Sequence, residues 1–568
     1  MELYPDAKPT LGPSIEDGFY YDFDFPSASS GQAFKISEED LAKIEERMRG
    51  IVKGWDKFER IEVTPQKAIE TFKENEYKKE LIEEFSKKGQ KITLYKSGDF
   101  TDLCRGGHIE RPNKELKHFK LLSIAGAYWR GSEKNKMLTR IYGTAFPTQK
   151  ELNEYLKMKN EAEKRDHRKL GKTLDLFTFS SLVGAGLPLY TPRGALIRRL
   201  LNEYVEEIQS KQGYQQVWTN QFARAELFKT SGHYDKYKNS MFKVVSNHSD
   251  EEYYLKPMNC PQHTQIYASQ SRSYRDLPIR LTDFAMLYRD EKPGELSGLA
   301  RVRSFSQDDC HIFCREDQVD SEMDTALSMI KQIMKTFGFK YRYRMSTRDP
   351  DHPEKYLGDP KTWDKVEKWA VEIIKRNKID YYDGPGEAAF YAPKMDLMAT
   401  DALRREWQLS TVQIDYVMPE RFNLDYIDKD GSKKRPIMLH RAIIGSPERF
   451  IMILLEHFAA NLPAWLSPIQ VMVLPITERN IPYAAKKTEE LKNRGVRAEL
   501  DDRNETLHAK IRDAALRKSP YMLIIGDKEE KTDKVAVRLR DAKDLGEMRL
   551  ESFIKRVKTI IDKKSLNL

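Results

Sequence analysis

Four cysteines spread through 568 residues, at positions 104, 260, 310 and 314, are too few and too scattered for a disulfide framework. That excludes a stapled secreted scaffold and fits a reducing, cytoplasmic setting. Long apolar runs are missing too. The most apolar helical stretch, RFIMILLEHFAANL, is short and carries Glu456 and His457, so no membrane span is expected. The opening MELYPDAKPTLGP has neither a basic start nor an apolar core, so no secretory leader is expected. There is no G-x-x-x-x-G-K-[ST], and any nucleotide chemistry must proceed without a P-loop. No internal repeat or low-complexity tract is seen. What is present is a mixed chain, 39% hydrophobic and 33% charged, with a formal charge of +9 (97 basic minus 88 acidic residues). That balance builds several cores and suits either a surface that meets nucleic acid or an ordinary lysine-rich one.

The length suggests about three or four domains. Residues 1–148 mix short strands with helices: GFYYDFDF alternates like a strand, and SEEDLAKIEERMRGIVKGW reads as a capped helix starting near Ser37. Residues 149–170 are almost all polar helix formers, which predicts a linker helix. A long segment follows, 171–466. Ile197, Leu200, Leu201, Tyr204, Val205 and Ile208 recur at helical spacing before Gly213, strand-like runs fill 252–315 and 379–444, and a buried helix starts at Ser446. In 467–568 the runs IQVMVLPI, VRAELDD, YMLIIG and KVAVRLR alternate with helices near 481–493, 505–517 and from about 550. That pattern predicts a small α/β domain on a largely parallel sheet, with Pro463 and Pro468 marking its boundary.

One stretch, RVRSFSQDDCHIF, carries most of the chemistry. Read as a strand from Arg301 to Phe313, its odd face collects Arg301, Arg303, Phe305, Gln307, Asp309 and His311. Just before it, AMLYRDE reads as a second strand with Leu287, Arg289 and Glu291 on one face, joined to the first by a loop with Pro-Gly and Ser-Gly pairs. Such a hairpin presents two or three guanidiniums, an amide, a carboxylate and an imidazole to something polar and anionic. A solvated face has the same composition. Downstream, HRAIIGSPERF places a strand before a helix that Ser446 can cap and Pro447 can open. Arg449 falls in the first turn, where a cation opposes the helix dipole unless an anion binds nearby.

YRDE, RVRSFSQDDCHIF and HRAIIGSPERF resemble the second and third signature motifs of class II aminoacyl-tRNA synthetases. With KPMNCPQH, FYAPKMD and WQLSTVQID, in this order, the chain is similar to the threonyl-tRNA synthetase family over nearly its whole length, including GPSIEDGFYYDFD, DLCRGGH and IIGDKE. The resemblance implies an α+β multidomain fold: an antiparallel class II catalytic sheet flanked by helices, an N-terminal α+β editing-like domain and a C-terminal α/β anticodon-binding domain. It implies a ligase that joins threonine to tRNA(Thr) through threonyl-adenylate, consuming ATP with Mg²⁺, and an expected homodimer. By the same resemblance Arg289 and Arg449 are catalytic. They bind ATP with Glu291, Arg301 and Gln408, while Gln307, Asp309, Tyr391, Lys394 and Gln413 meet threonine. Cys260, His311 and His440 match the family's zinc ligands, one ion per subunit. Their spacing, 51 and 129 residues, makes no local motif. His263 is expected beside the metal site rather than in it, and Cys310 and Cys314 in the core.

Two departures from the family stand out. GYQQVWTNQF has Asn220 where the first class II motif carries a proline, which bears on the dimer. Of the family's editing site, Lys78, Asp102, Cys104 and His108 are present, but MELYP aligns just beyond the H-x-x-x-H half. A trimmed chain, a lost activity and a separate editing fragment are all compatible with that. In the last domain Asn504, Glu529 and Arg538 match anticodon-reading positions, with Lys510 and Arg512 as phosphate contacts. A ligase for serine or proline, and a non-catalytic RNA-binding relative, are the competing readings. On this reading the chain by itself clears seryl-tRNA slowly. Brisk hydrolysis of preformed seryl-tRNA that depends on Cys104 and His108 would contradict it.

Overall fold

The computed structural model describes residues 1–15, 18–25 and 36–568. It divides into two compact units, Met1–Asn160 and Glu161–Leu568. Glu16 and Asp17 of the GPSIEDGFYYDFD block lie outside the described residues.

In the first unit the alternating Gly18–Asp24 run pairs antiparallel with Met137–Phe146, which pairs in turn with His118–Tyr128. A second antiparallel sheet joins Glu59–Val63, Ile92–Ser97 and Phe100–Leu103. The helix expected near Ser37 begins at Asp40. The Asp40 carboxylate accepts from the Ser37 amide at 2.8 Å and Glu39 already has helical φ/ψ, so residues 37–39 form a turn that leads into the helix. Leu41 on that helix is buried with Leu121 and Ile141 of the sheet.

The polar stretch predicted as one linker helix is two helices, Gln149–Lys164 and His167–Thr173. Asp166 interrupts it because its carboxylate accepts from the Arg168 amide at 2.8 Å, capping a new helix start.

The second unit is built on an eight-stranded sheet. Its central strands run Ile279–Tyr288, Ser304–Cys314, Ile437–Ala442, Glu406–Asp415, Lys394–Thr400 and Lys340–Thr347, each antiparallel to the next. Short parallel strands, Gln215–Gln216 and Tyr381–Pro385, close the two edges. The predicted hairpin is therefore real but shorter than read. The first strand ends at Tyr288 and the second starts at Ser304, so Arg289, Glu291 and Arg301 sit on the loop between them and not on strands. Pro293 and Gly294 take the chain out of the ladder, and Ser297 bridges back to Arg301.

Helices cover one face of the sheet. Pro192–Ser210 buries Ile197, Leu201, Tyr204, Val205 and Ile208, as its spacing predicts. Val319–Phe337 and Pro447–His457 bury an apolar stripe against the same core. Cys310 and Cys314 are buried within that core. Ser446 caps the last helix by accepting from the Arg449 amide.

The C-terminal sheet runs in the order Ala498–Leu500, Val471–Pro475, Tyr521–Ile525, Val535–Leu539, Asp544–Met548. The first three strands are parallel and the last two antiparallel, so the sheet is mixed and not largely parallel. Only the short helix Asp527–Thr532 separates the third strand from the fourth, too little chain for a crossover. Arg497 and Arg540 tie this sheet to the segment that precedes it. Arg497 donates to the carbonyls of Trp465 and Ser467 at 2.7 and 3.0 Å, and Arg540 to those of Asn461 and Leu462 at 2.9 and 2.8 Å. Burial pulls both guanidiniums down to about 10, which leaves them charged at neutral pH.

Phe450 is fully buried and meets Phe337 edge-on at 5.0 Å. Phe450→Ala should cost about 3–5 kcal/mol in equilibrium urea unfolding, the range for an aromatic removed from a packed core. A cost below about 1 kcal/mol would show that this layer can collapse around the gap.

Candidate active site and metal centre

The sheet face opposite the helices holds a cavity of about 370 Å³. All thirteen residues that the sequence reading assigned to catalysis, ATP, threonine and metal line it: Cys260, Arg289, Glu291, Arg301, Gln307, Asp309, His311, Tyr391, Lys394, Gln408, Gln413, His440 and Arg449. Strand alternation explains the core of this set. Phe305, Gln307, Asp309 and His311 point into the cavity, while Cys310 and Ile312 on the alternate face point into the hydrophobic core.

At one end of the 304–314 strand, pairing with 437–442 sets His311 opposite His440. His311 Nε2 and His440 Nδ1 are 3.0 Å apart. Cys260, at the first position of the helix Cys260–Ala268, completes a buried group whose ligand atoms all lie within 4.8 Å of one another. The far nitrogens are held. His440 Nε2 lies 2.7 Å from the Asp415 carboxylate, and His311 Nδ1 lies 2.8 Å from His263. Tyr391 stacks on His440 with centroids 4.7 Å apart.

A thiol and two imidazoles oriented from behind suit a zinc-like ion and leave a coordination position for a ligand. The ionisation states point the same way. Burial, reinforced by Asp309 and Asp415, pushes the Cys260 thiol well above its ordinary range, and burial holds His311 neutral. A divalent ion would offset the buried carboxylates and take the thiolate. Asp309 is itself pushed up by burial, against His263, His440 and Lys256, so its carboxylate lacks a full counter-charge in the cavity. Gln413, paired in register with His440, has a buried amide oxygen with no partner.

Towards the other end of the strand the cavity is cationic. The Arg289 guanidinium lies over Phe305, 5.1 Å from the ring centroid, and its buried Nε has no partner. Arg449 donates to the Ala300 carbonyl at 3.2 Å. Its pKa is lowered first by burial, then by Arg289 and Arg301; Glu291 opposes. Arg301 is held by Glu291 at 2.8 Å and Glu295 at 3.2 Å. Three guanidiniums gathered here, two of which disfavour the charge on Arg449, suit an anion.

Lys394 and Gln408 are fixed by the buried Asp396, at 3.2 and 2.8 Å, which also holds Arg344. Sequence reasoning missed Arg344, Asp396, Asp308 and Asp415. Asp415 shares a strand face with Gln413, a signal that was available. Asp308 accepts from the Ile443 and Ile444 amides at 2.6 and 3.3 Å and so fixes the turn leading to Arg449.

The editing-like residues are also brought together. Lys78 pairs with Asp102 at 2.5 Å, Tyr21 bonds both, and Cys104 Sγ lies 3.6 Å from His108. In the last domain Asn504 and Arg512 are exposed, and Arg538 is half-buried with an unpartnered Nε. Glu529 is buried and accepts from the Gly526 amide. Lys510 does not fit a phosphate contact: it is 3% exposed and donates to the Pro475 carbonyl at 3.1 Å.

The sheet, its motif loops and the arginine-lined cavity define a class II aminoacyl-tRNA synthetase. Residues 242–458 match the tRNA synthetase class II core domain (G, H, P, S and T), residues 470–560 an anticodon binding domain, and residues 92–142 the threonyl and alanyl tRNA synthetase second additional domain. The threonine–tRNA ligase of Rubrobacter xylanophilus is 47% identical over 98% of this chain and 86% of its own, and that of Deinococcus radiodurans 50% over 94% and 81%. Among solved structures, one titled as the RNA binding domain of threonyl-tRNA synthetase from Cryptosporidium parvum superposes with a TM-score of 0.66 at 38% identity, covering 70% of this chain and 98% of that one. The chain belongs to the threonine–tRNA ligase family, ATP-dependent aminoacyl-tRNA ligases of class II.

Zinc uptake near pH 7.5 should release a proton from Cys260, because its thiol is protonated before ligation, and none from His311, which is already neutral. Apparent affinity should therefore fall as pH falls. Calorimetry in buffers of differing ionisation enthalpy should show that proton in the parent chain and its loss in Cys260→Ser.

Proposed function

We propose that this chain activates threonine with ATP to threonyl-adenylate and passes it to the 3′ end of tRNA(Thr), selecting threonine over valine with zinc. One observation carries the reading: a buried thiol–imidazole–imidazole group and a set of three arginines share one cavity. Phe305 and His311 are six residues apart on that strand, roughly 20 Å at about 3.3 Å per residue. This leaves room for an amino acid at one end and a nucleotide at the other.

Cys260, His311 and His440 would hold the zinc, which supplies a Lewis acid for the amino and hydroxyl groups of the substrate. An apolar pocket separates near-isosteres such as threonine and valine only about 10²-fold, so a required oxygen ligand adds selectivity that shape cannot. Asp309 receives the ammonium, which supplies the cation that its buried carboxylate lacks. Gln413 offers its unpartnered oxygen, Tyr391 walls the pocket beside His440, and Gln307 and Lys394 lie along the substrate.

On the nucleotide side Arg289 bridges the α-phosphate and the attacking carboxylate, lowering their repulsion as the P–O bond forms. Arg449 neutralises the departing pyrophosphate, Arg301 and Glu291 position the ATP, and Gln408 contacts it from the Asp396 network. Mg²⁺ accompanies ATP as part of the substrate. Little covalent help is needed, because the barrier falls through positioning and charge neutralisation.

The division at about residues 148, 170 and 466 belongs to this proposal, as do cytoplasmic residence and an anticodon role for Asn504, Glu529 and Arg538. So does a homodimer through the edge that carries Gln215–Gln216. Trp218, 84% exposed beside that edge, supports it. Asn220 follows, its carbonyl accepting from Gln262 at 2.9 Å. Lys78, Asp102, Cys104 and His108 are proposed as matching part of the family's seryl-tRNA editing site. No helix among the described residues is long and apolar enough to cross a membrane.

ATP–pyrophosphate exchange should depend on threonine, fail with valine, and vanish when the metal is stripped. Arg289→Ala and Arg449→Ala should each lower kcat about 10²–10³-fold. Equal exchange with valine, or exchange with serine or proline alone, would overturn the reading.

A further inference from the structure

We propose that His167 is a positioning residue for ATP, holding the arginine-bearing loop 297–303 against the helix that carries Arg449. His167 is 4% exposed and opens the helix His167–Thr173. Its Nδ1 lies 2.6 Å from the Glu456 carboxylate near the end of the Pro447–His457 helix, and its backbone amide donates to the same oxygen at 3.1 Å. Its Nε2 accepts from the backbone amide of Leu299 at 3.0 Å. One ring thus joins the helix of Arg449 to the loop of Arg301, using one nitrogen on each.

The loop is shaped for this contact. Gly298 has φ +48°, and a Cβ there would fall 2.1 Å from His167 Nε2, so the ring can approach the backbone only because residue 298 has no side chain. Ser297 and Arg301 close a tight turn, with the Ser297 amide donating to the Arg301 carbonyl at 3.1 Å. Leu299 and Ala300 line the cavity, and the Ala300 carbonyl is the acceptor for Arg449. From His167 to Leu299, Ala300 and Arg449 the contacts form a closed circuit: loop to arginine, arginine to helix, helix to Glu456, and Glu456 back to His167. Arg405 fixes the far side by bonding both Glu456 and Asp401.

The ligand atoms of Asp166, His167 and Glu456 lie close enough to hold an ion. Both imidazole nitrogens are already engaged, so the cluster acts as a brace and not as a metal site.

Arg289 and Arg301 both repel Arg449, and two glycines, Gly294 and Gly298, precede Arg301 in its loop. Without a brace this repulsion drives loop and helix apart when no anion is bound. The brace holds the charges together in advance, so ATP meets a formed site instead of assembling one. The threonine end of the cavity rests on strand register and not on this loop, so His167 separates the two substrates energetically.

The inference rests on the ATP assignment of the cavity's arginines, and kinetics on the full chain tests it. In threonine-dependent ATP–pyrophosphate exchange, His167→Ala and His167→Asn should raise KM for ATP about tenfold, roughly the loss of one buried hydrogen bond, with KM for threonine within about twofold. An asparagine amide can reach Glu456 but not Leu299. In His167→Gln the amide oxygen can take the place of Nε2 and accept from Leu299, so most of the ATP affinity should return. Gly298→Ala, whose methyl meets His167 and Arg168 but not the Pro447–His457 helix, should push ring and loop apart, reproduce the ATP-selective rise and serve if the His167 variants do not fold. Equal shifts in both KM values, no rescue by glutamine relative to asparagine, or an unchanged KM for ATP in Gly298→Ala would overturn the proposal. A parent chain with no threonine-dependent exchange would instead overturn the activity on which it rests.

Discussion

The site depends on one pairing, that of strand 304–314 with strand 437–442. Its register sets His311 beside His440, and the next pairing, with 406–415, sets Gln413 beside His440 in turn. Side chains alternate across a sheet, so a slip of one residue would send His311 into the hydrophobic core and Cys310 into the cavity. The core on the other face holds the register. Cys310, Ile312, Leu439 and Val412 are all nearly or wholly buried there, and none of them could turn outward without exposing apolar surface. The close approach of His311 and His440 is thus a by-product of hydrophobic packing on the opposite side of the same strands.

The other half of the site is made differently. Arg289, Arg301 and Arg449 come from loops and a helix end, outside the continuous strand ladders. Their mutual repulsion is met by a few specific partners: Glu291 and Glu295 for Arg301, the Ala300 carbonyl for Arg449 and the Phe305 ring for Arg289. Strand register gives rigidity at the histidine end. At the arginine end, hydrogen bonds to backbone carbonyls and carboxylates keep the charges in place.

This contrast governs what the sequence could reveal. Alternation from Phe305 to His311 is a backbone rule, and the structure follows it residue by residue. The same rule extended to Arg301 and Arg289 overshoots, because Pro293 and Gly294 take the chain off the ladder and a period of two carries no information in a loop. Cys260, His311 and His440 could not be grouped from their spacing. Sheet topology brings them together, and only resemblance to a family made them legible. The helices at 319–337 and 360–376 drew no comment at the sequence level, although their apolar stripes are plain once the core is known. Asp166 shows a limit of cap reading: the stretch offers several polar side chains, and the carboxylate that reached the Arg168 amide decided where the second helix began.

The C-terminal sheet has a consequence for how the chain meets RNA. Lys510, Arg497 and Arg540 spend their donors on protein carbonyls, at Pro475 and along the segment from Asn461 to Ser467. Those three positive charges count towards the formal balance but cannot displace counterions from a polyphosphate chain. The electrostatic footprint offered to a nucleic acid is therefore smaller than a tally of basic residues suggests, and recognition there shifts toward shape and exposed planar groups.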